Sequence, residues 1–504
     1  MRGCSVRQSI NVMPIVATLL STSQDKIINL TTTKRRKLAT KTLFVPFVLT
    51  IMAVVALVIV AGFLFQDYVI HNQDPHYPVL TKNDDLMIEL VASNLSFPTN
   101  MAFLDHSNIL VSEKNTGNVR LISDGVLKPE SLLRLNVENQ GERGLLGLAI
   151  LDNTSTTGES GKGMKSKLQS SSSLSPTHLF PTIPKAYVYI YFTELKKNAE
   201  IKNVIYRYDW NGNSLINPKL ILELPSSAGI YHNGGKMIIG PRDHQLYVAV
   251  GDLNSPNTMM QNYKYGKKSS YSSVILRINP ISGLPSAGNP FLSDNKSGNT
   301  TDIAGIAYSY AYGIRNSFGM AFDPVTGLLW DTENGENSYD EINLVKPGFN
   351  SGWDKVMGPI SRNNDTSTKS RLFALQGSYY SDPKFSWRIP IGVTAIEFFT
   401  SSSFGTKYKN NIFIGDINLG NIYYFKVSNA NRTDLYLNSS QHSELVDRVA
   451  DNKNEILKML FASNFQGRIT DIKTGPDGNL YVLTYFDGKI YKIMPKNAQT
   501  SISY

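Results

Sequence analysis

A short unit recurs along this chain and limits the folds that it can adopt. An apolar run leads into a turn with Asp, Pro or Gly, and a second apolar run follows that often ends in Leu-Tyr-Val. The clearest copies lie at residues 101–113, 239–248, 320–330 and 474–482. Each unit describes a small sheet that cannot bury its own faces, a problem that radial packing of repeated sheets solves. The repeat predicts an all-β propeller, with a β-sandwich as the alternative.

An apolar segment near the N-terminus predicts a membrane anchor. Residues 43–65 run for 23 positions without a charge, and roughly 20 helical residues suffice to cross a hydrocarbon core. Because Lys and Arg cluster at 34–41 before the segment, the positive-inside rule predicts a cytoplasmic N-terminus and an exported remainder. We expect an uncleaved anchor, since no small-residue cleavage site follows Phe65. A buried core helix is the alternative.

The anchor divides the chain into unequal parts. We expect a cytoplasmic basic tail at 1–42, a transmembrane helix at 43–65, a linker at 66–85, the propeller at 86–496 and a C-terminal tail at 497–504. Within the propeller, residues 152–184 are rich in Ser, Thr, Gly and Lys, which predicts a low-complexity inserted loop without a core of its own. The site must then lie in the exported domain.

Charge and cysteine content exclude two classes of function for that domain. Residues 1–42 hold eight Lys or Arg against one acidic residue, so they carry +7 of the formal net charge of +9. The rest of the chain lacks the basic footprint of a nucleic-acid-binding domain. The single cysteine, Cys4, lies in the tail. We therefore expect no nucleic-acid partner, no disulfide framework and no thiolate metal site.

Two polar loops between apolar runs are candidate sites. His232 lies in a glycine-flanked turn, where an imidazole can act as a general base near neutral pH. Arg315 and Asn316 follow a glycine in another loop, where a guanidinium and an amide suit the oxygens of a ligand. The alternatives are a structural loop histidine and a salt bridge from Arg315 to a neighbouring blade through Asp340 or Glu341.

A third loop suits a cation. The turn around Gly335 can offer backbone carbonyl groups to a hard cation such as Ca²⁺, which takes oxygen ligands. The histidines of the chain show no paired spacing, so the sequence does not predict a histidine zinc site.

Four motifs, in this order, resemble the PQQ-dependent glucose/sorbosone dehydrogenase family. They are Gly141–Ala149 with the pattern G-x-x-G-L-L-G-x-A, the His232 segment through Asp252, the block from Arg315 to Asn343, and Asn350–Trp353. The resemblance covers most of residues 86–496. It implies a six-bladed β-propeller that uses pyrroloquinoline quinone (PQQ) and calcium to oxidise aldose sugars to lactones.

The resemblance also implies roles for individual residues. His232 matches the base that removes the proton of the anomeric hydroxyl while hydride passes to the quinone. Arg315 matches the arginine that polarises the quinone oxygens, and Asn316 and Glu142 match cofactor contacts. The carbonyl oxygens of Gly335 and Glu336 match the calcium ligands.

Several positions depart from the glucose-oxidising members of the family. Glu142 stands where they have a glutamine, and its carboxylate would repel a cofactor that carries three carboxylates unless Glu142 is protonated or paired with Arg143. Tyr231 stands where they have an aspartate, so we expect His232 to lack its orienting carboxylate. Residues 411–423 contain no arginine where relatives place basic residues over the cofactor, a role for which Arg388 or Lys426 could compensate.

The sequence therefore predicts a membrane-anchored, outward-facing quinoprotein that oxidises aldoses and passes electrons to an unknown acceptor. The alternative is a non-catalytic propeller that serves as a binding or adhesion module on the same scaffold. Retention of His232, Arg315 and Asn316 together favours the enzyme, whereas Glu142 and the missing arginine favour the binding module. A calcium-dependent lactonase is disfavoured, because the cluster lacks the several inward carboxylates that such a site uses.

Overall fold

This computed structural model describes residues 77–80, 84–152, 184–267, 271–292, 304–362, 368–428, 430–437 and 445–496. These residues belong to one compact unit, His76–Tyr504. The predicted cytoplasmic tail, the transmembrane helix at 43–65, the C-terminal tail and nearly all of the inserted loop lie outside the described residues. Among the residues that are described, no helix is long and apolar enough to cross a membrane.

The described chain is almost entirely β-structure. In chain order its strands are β1 (Val79–Leu80), β2 (Leu86–Ala92), β3 (Pro98–Phe103), β4 (Asn108–Glu113), β5 (Asn118–Ser123), β6 (Val126–Leu127), β7 (Leu133–Arg134), β8 (Leu145–Asp152), β9 (Ala186–Leu195), β10 (Ile201–Trp210), β11 (Leu215–Ser227), β12 (Met237–Ile239), β13 (Leu246–Val250), β14 (Val274–Ile278), β15 (Ser309–Tyr312), β16 (Ser317–Phe322), β17 (Leu329–Glu333), β18 (Asp340–Val345), β19 (Phe349–Asn350), β20 (Tyr379–Tyr380), β21 (Phe385–Trp387), β22 (Val393–Phe398), β23 (Ile412–Asp416), β24 (Ile422–Phe425), β25 (Val449–Ala450), β26 (Leu460–Ser463), β27 (Ile469–Thr474), β28 (Leu480–Thr484) and β29 (Lys489–Pro495). Its helical segments are α1 (Ala304–Tyr308), α2 (Thr368–Arg371), α3 (Lys453–Lys458) and the 3₁₀ turns Met259–Gln261 and Ile360–Arg362. The prediction of an all-β fold is confirmed.

The strands form six sheets. Each sheet has an inner strand at one edge, namely β3, β8, β12, β16, β22 or β27, and we number the sheets by the chain order of these strands. Sheet 1 is β3-β4-β5-β6 with β7 on β5, sheet 2 is β8-β9-β10-β11, sheet 3 is β12-β13-β14-β15-β19-β20, sheet 4 is β16-β17-β18-β21-β25, sheet 5 is β22-β23-β24-β26-β1, and sheet 6 is β27-β28-β29-β2. Neighbouring strands are antiparallel except for the pairs β15–β19, β19–β20 and β21–β25. The core of each sheet is thus an antiparallel meander of four strands.

The sheets close into a ring. The inner strands contact one another in the order β3, β8, β12, β16, β22, β27 and back to β3. Six buried apolar clusters fill the spaces, one between each pair of neighbouring sheets. Between sheets 2 and 3, for example, the cluster joins Tyr191 and Leu224 to Val248. Because both faces of every sheet are buried in this way, the prediction of a propeller is confirmed.

Strand β2 joins the two ends of the propeller chain. It lies at the outer edge of sheet 6, where Leu86 pairs with Pro495 and Leu90 with Tyr491. The other three strands of that sheet come from the C-terminal end of the chain. The ring is therefore closed by backbone hydrogen bonds between residues that are about 400 positions apart.

The four repeated units of the sequence are inner hairpins. They correspond to β3–β4, β12–β13, β16–β17 and β27–β28. The turn at 475–478 explains the recurring Gly, Pro and Asp: the N–H of Gly475 donates to the carbonyl of Asn479 at 2.8 Å, and Oδ1 of Asp477 accepts from the N–H of Asn479 at 3.1 Å. In sheet 2 the repeat is hidden, because the insertion at 152–184 separates β8 from β9.

Candidate active site

The predicted site residues lie where inner strands begin. Glu142 precedes β8, His232 precedes β12, and Asn316 immediately precedes β16. These strands lead sheets 2, 3 and 4, which are neighbours in the ring. Loops before such strands open on the same face of the propeller, so residues up to 174 positions apart come into contact there.

Glu142 joins two of the predicted residues. Its Oε2 accepts a hydrogen bond from the backbone N–H of His232 at 2.7 Å and another from Nδ2 of Asn316 at 3.2 Å. Its own N–H donates to the carbonyl of Ile230 at 2.8 Å. A carboxylate suits the position because both groups that face it are donors. The structure thus brings Glu142, His232 and Asn316 together.

His232 is oriented by a carboxylate that the sequence did not single out. Nδ1 of His232 lies 2.8 Å from Oδ1 of Asp252, and Oδ2 of Asp252 accepts from the indole Nε1 of Trp353 at 3.0 Å. The carboxylate accepts a hydrogen bond only when Nδ1 carries the proton, so the neutral ring keeps its lone pair on Nε2. The expectation that Tyr231 leaves His232 without an orienting carboxylate is wrong, since Asp252 supplies one.

Arg315 is buried, and the groups that its guanidinium contacts are neutral. Its Nη1 donates to the carbonyl of Asn334 at 3.0 Å, and its guanidinium carbon lies 5.3 Å from the ring centre of Trp353. Among the described residues, Nε of Arg315 has no hydrogen-bond partner and the side chain forms no ion pair. The alternative of a salt bridge to Asp340 or Glu341 is therefore wrong. The cation remains available to a ligand.

Glu333 fastens the loops behind the site. It is fully buried, and its Oε1 accepts from the N–H of Arg315 at 2.6 Å while its Oε2 accepts from Oγ of Ser351 at 2.6 Å. Burial raises the pKa of Glu333 to about 7, because loss of hydration disfavours the charged carboxylate. This carboxyl group positions the backbone of Arg315 and the segment that leads to Trp353.

Two cavities adjoin these residues. The side cavity, of about 220 Å³, is lined by residues that include His232, Asp252, Arg315, Glu336 and Trp353. The channel cavity, of about 200 Å³, lies at the ring axis, because residues in or next to all six inner strands line it; they include Lys114, Glu142, Asn334 and Tyr485. The predicted residues are thus divided: His232, Arg315 and Glu336 face the side cavity, and Glu142 faces the channel cavity.

The predicted calcium loop turns tightly at Gly335. The N–H of Gly335 donates to Oδ1 of Asp340 at 3.0 Å, and a Cβ at this position would lie 2.0 Å from the carbonyl oxygen of Ser338. Only glycine fits the turn. Glu336 is exposed. Within the described ranges, no three His, Cys, Asp or Glu side chains gather as a metal site, and the predicted ligands are backbone carbonyls, so calcium binding stays a prediction.

The basic residues expected to compensate for the missing arginine lie elsewhere. The side chain of Arg388 is 59% exposed and 3.9 Å from Asp451, and Lys426 lies over the ring of Tyr436. Neither residue lines the two cavities. Arg143 does not pair with Glu142, because its guanidinium donates to the carbonyls of two loop residues, Ala228 and Gly229. These three expectations are wrong.

Comparison of the sequence with protein-family models identifies the family of this chain. The model of the Glucose / Sorbosone dehydrogenase family matches residues 179–492, more than half of the chain. The chain belongs to the glucose/sorbosone dehydrogenase family. The predicted family and the predicted enzyme class, an oxidoreductase, are confirmed. The matched range includes His232, Arg315 and Gly335, and Glu142 lies before it.

Similar proteins support the family. The chain is 26% identical over 276 residues to the aldose sugar dehydrogenase YliI of Escherichia coli, covering 55% of this chain and 63% of that one. It is 24% identical over 481 residues to the quinoprotein glucose dehydrogenase B of Acinetobacter calcoaceticus, covering 82% and 88%. An oxidoreductase (glucose dehydrogenase) structure from Thermus thermophilus matches with a TM-score of 0.57 and 26% identity, over 81% of this chain and all of the other.

A further neighbour concerns the fold alone. The PQQ-bound aldose sugar dehydrogenase of Streptomyces coelicolor has a TM-score of 0.52 at 20% identity, over 83% of this chain and 99% of its own. At that level of identity, only the architecture of this glucose/sorbosone dehydrogenase is supported.

Sequence reasoning missed three residues of the site. Asp252 ends the recognised segment Val250-Gly251-Asp252, which was a usable signal. Glu333 lies within the recognised block from Arg315 to Asn343. Lys114 carries no local signal, because a charged residue after an apolar run is most often a solvated strand end, and only its burial in the folded chain distinguishes it.

Proposed function

We propose that this family member is an aldose dehydrogenase that uses PQQ and calcium on a six-bladed propeller, one blade for each of the six sheets. The observation that carries the proposal is the His232–Asp252 pair at the side cavity, which Arg315 also lines. A base oriented by a carboxylate, next to an unpaired cation, suits an oxidation in which the substrate loses a proton to the base and a hydride to an acceptor beside the cation. The names of the Escherichia coli and Acinetobacter relatives point to sugars and to a quinone.

The residues present fit the cofactor. Nε of Arg315 and Oδ1 of Asn316 are buried without a hydrogen-bond partner among the described residues, so one donor and one acceptor are left for a ligand. Arg315 and Asn316 would hold PQQ, and the carbonyls of Gly335 and Glu336 would hold Ca²⁺. When bound, PQQ supplies a two-electron acceptor for the hydride from C1 of the sugar.

His232 performs the proton transfer. Its Nε2 accepts the proton of the anomeric hydroxyl, while C1 loses a hydride and the C1–O bond becomes the carbonyl of the lactone. The imidazolium that forms is stabilised by Asp252 at 2.8 Å. Burial of this pair strengthens the interaction, because few water molecules compete with it. Arg315 stabilises the negative charge that the reaction builds beside it.

We further propose that residues 43–65 anchor the enzyme in the cell membrane, with the N-terminus cytoplasmic and the propeller outside. The support is the charge-free run with basic residues on its N-terminal side. Electrons then pass to an acceptor near the outer surface of the cell membrane. Protease treatment of intact cells tests the topology: we expect loss of the propeller and retention of the tail.

The test of activity uses the full chain and a matched pair of histidine variants. His232 and His244 both have a left-handed backbone, with φ of 59° and 54°, which asparagine tolerates. We expect the parent to bind PQQ in calcium buffer and to reduce a dye when aldoses are added. His232→Asn should keep PQQ binding and lose about 100-fold or more in turnover, and His244→Asn should match the parent.

Each contrary result has a distinct meaning. Turnover of folded, PQQ-loaded His232→Asn at the parent rate would remove His232 as the base. Failure of the parent to bind PQQ at tens of micromolar would exclude the dehydrogenase and favour the non-catalytic binding module, whose supporting observation is the carboxylate of Glu142 at the ring axis.

A further inference from the structure

Lys114 is a buried cation at the ring axis. It follows the last residue of β4, is only 7% exposed and lines the channel cavity together with Glu142 and Asn334. Its Nζ donates to Oδ1 of Asn115 at 3.0 Å and to the carbonyl of Asn139 at 3.1 Å. Both acceptors are neutral. An ammonium group has three N–H donors, and the third has no acceptor among the described residues.

This arrangement is unusual for a buried lysine. Lys236, which lines the same cavity, forms an ion pair of 2.8 Å with Asp471. Within the described part of the chain, Lys114 has no carboxylate within 4.0 Å. Burial lowers the pKa of Lys114, and the more distant charge of Glu142 partly opposes this effect. A buried charge without a contacting counter-ion is costly, so a ligand that supplies the counter-ion would stabilise it.

The backbone is shaped around this side chain. A Cβ on Gly144 would lie 2.7 Å from Cγ of Lys114 and 2.4 Å from its carbonyl oxygen. Gly144 also has a φ of 139°, which side chains rarely adopt. The lysine stem thus crosses the position that a side chain at 144 would occupy. The loop that carries Glu142 therefore holds Lys114 at the cavity wall.

We propose that Lys114 binds a carboxylate group of PQQ and so takes the place of the basic residues that residues 411–423 lack. The proposal rests on the proposed function and names a cofactor residue beyond Arg315 and Asn316. Asn334 links the two cations: it lines the channel cavity with Lys114, and its carbonyl accepts from Arg315. A polyanion bound near Asn334 would have Lys114 in the channel cavity on one side and Arg315 in the side cavity on the other.

The competing explanation is that Lys114 only neutralises Glu142. Four full-length variants separate the two: Lys114→Met, Lys114→Arg, Glu142→Gln and the double variant Lys114→Met/Glu142→Gln. Lys202→Met is the matched control, because Lys202 is equally buried at 8% but lies in β10, away from the cavity. Binding of PQQ and of its trimethyl ester, which has no carboxylate charge, is followed by quenching of tryptophan fluorescence.

For PQQ we expect Lys114→Met to raise Kd by about 30-fold or more, with most of the affinity kept in Lys114→Arg and all of it in Lys202→Met. The ester should bind the parent and Lys114→Met alike. The loss should persist in the Glu142→Gln background. A Lys114→Met variant that binds PQQ as the parent does would overturn the proposal, and so would a loss that disappears once Glu142 is replaced.

Two further outcomes are also informative. If Lys114→Met does not fold, Lys114→Gln keeps a donor for the carbonyl of Asn139 and should show the same selective loss. A parent protein that binds neither PQQ nor the ester would remove the proposed function itself, and this proposal with it. Binding by the parent with unchanged variants would remove only the role of Lys114.

Discussion

At the scale of single residues, the site depends on hydrogen bonds that buried carboxyl groups accept from groups far away in the chain. Asp252 holds His232 and is in turn held by Trp353. Glu333 holds the backbone of Arg315. Asp252 accepts three hydrogen bonds from the site loops and Glu333 accepts two, and both carboxyl groups are largely removed from water. Such charge-assisted bonds are stronger than neutral ones, so they fix the positions of the reacting groups.

Asp252→Asn should separate orientation of His232 from its presence. The amide cannot stabilise the imidazolium and can present a donor to Nδ1, so we expect kcat to fall by about 100-fold or more with PQQ binding retained. Dye reduction by a saturating aldose measures kcat. Asp243→Asn is the control, because Asp243 pairs with Arg277 away from the two cavities. An unchanged kcat in Asp252→Asn would show that His232 needs no orienting carboxylate.

At the scale of elements, the inner strands meet at backbone distance. Gly147 of β8 lies against the carbonyl oxygen of Gly235, to which a Cβ on residue 147 would come within 1.9 Å. Gly235 follows His232 by three positions, just before β12. Packing of sheet 2 against sheet 3 therefore also places the histidine loop. The connection at 152–184 starts at the other end of β8, away from Glu142.

Gly147→Ala tests this contact. Overpacking should cost about 3 kcal/mol in the free energy of unfolding and should also reduce turnover, because the loop of His232 must move. Gly125→Ala is the comparison: its φ is +75°, but nothing lies within 4 Å of its Cβ. We expect it to cost about 1 kcal/mol through backbone strain alone and to leave turnover intact. Urea unfolding and dye reduction measure both effects, and full activity in Gly147→Ala would contradict the coupling.

Much of the arrangement of strands and site loops was predictable from the sequence. The hairpins of sheets 1, 3, 4 and 6 follow from the repeated apolar runs and their turns, since both signals are local. Sheets 2 and 5 gave no such repeat. In sheet 2 an insertion interrupts the hairpin, and in sheet 5 the connection from Phe398 to Ile412 is long. The predicted site residues His232, Arg315 and Asn316 were found together, whereas the compensating roles given to Arg388 and Lys426 were wrong.

At the scale of the whole molecule, stability depends on pH through buried carboxyl groups. Asp416, at the end of β23, is fully buried and accepts from the N–H groups of Leu419 and Gly420 and from the hydroxyl of Tyr423. Burial raises its pKa from 3.8 to about 6. The folded state therefore holds this proton at pH values where the unfolded state has released it. The contribution to stability is complete below about pH 4 and is lost as pH rises through 6.

Asp416→Asn should remove this dependence. The stability of the parent relative to the variant should decrease by about 3 kcal/mol between about pH 4 and pH 7. Urea unfolding at several pH values, with the m-value checked at each, measures the difference. A difference that stays constant across the range, or that grows with pH, would contradict the raised pKa.

The sequence by itself determined the all-β propeller, the family and the loops that carry His232, Arg315 and Gly335, because periodicity, turn residues and motifs are read within short stretches. Only the tertiary structure decided that Asp252 orients His232, that Glu333 fixes Arg315 and that Lys114 is buried at the ring axis. The physical reason is the closed ring. It brings together loops from different sheets and removes them from water, and a charged side chain acquires its partner, or lacks one, only when that ring has formed.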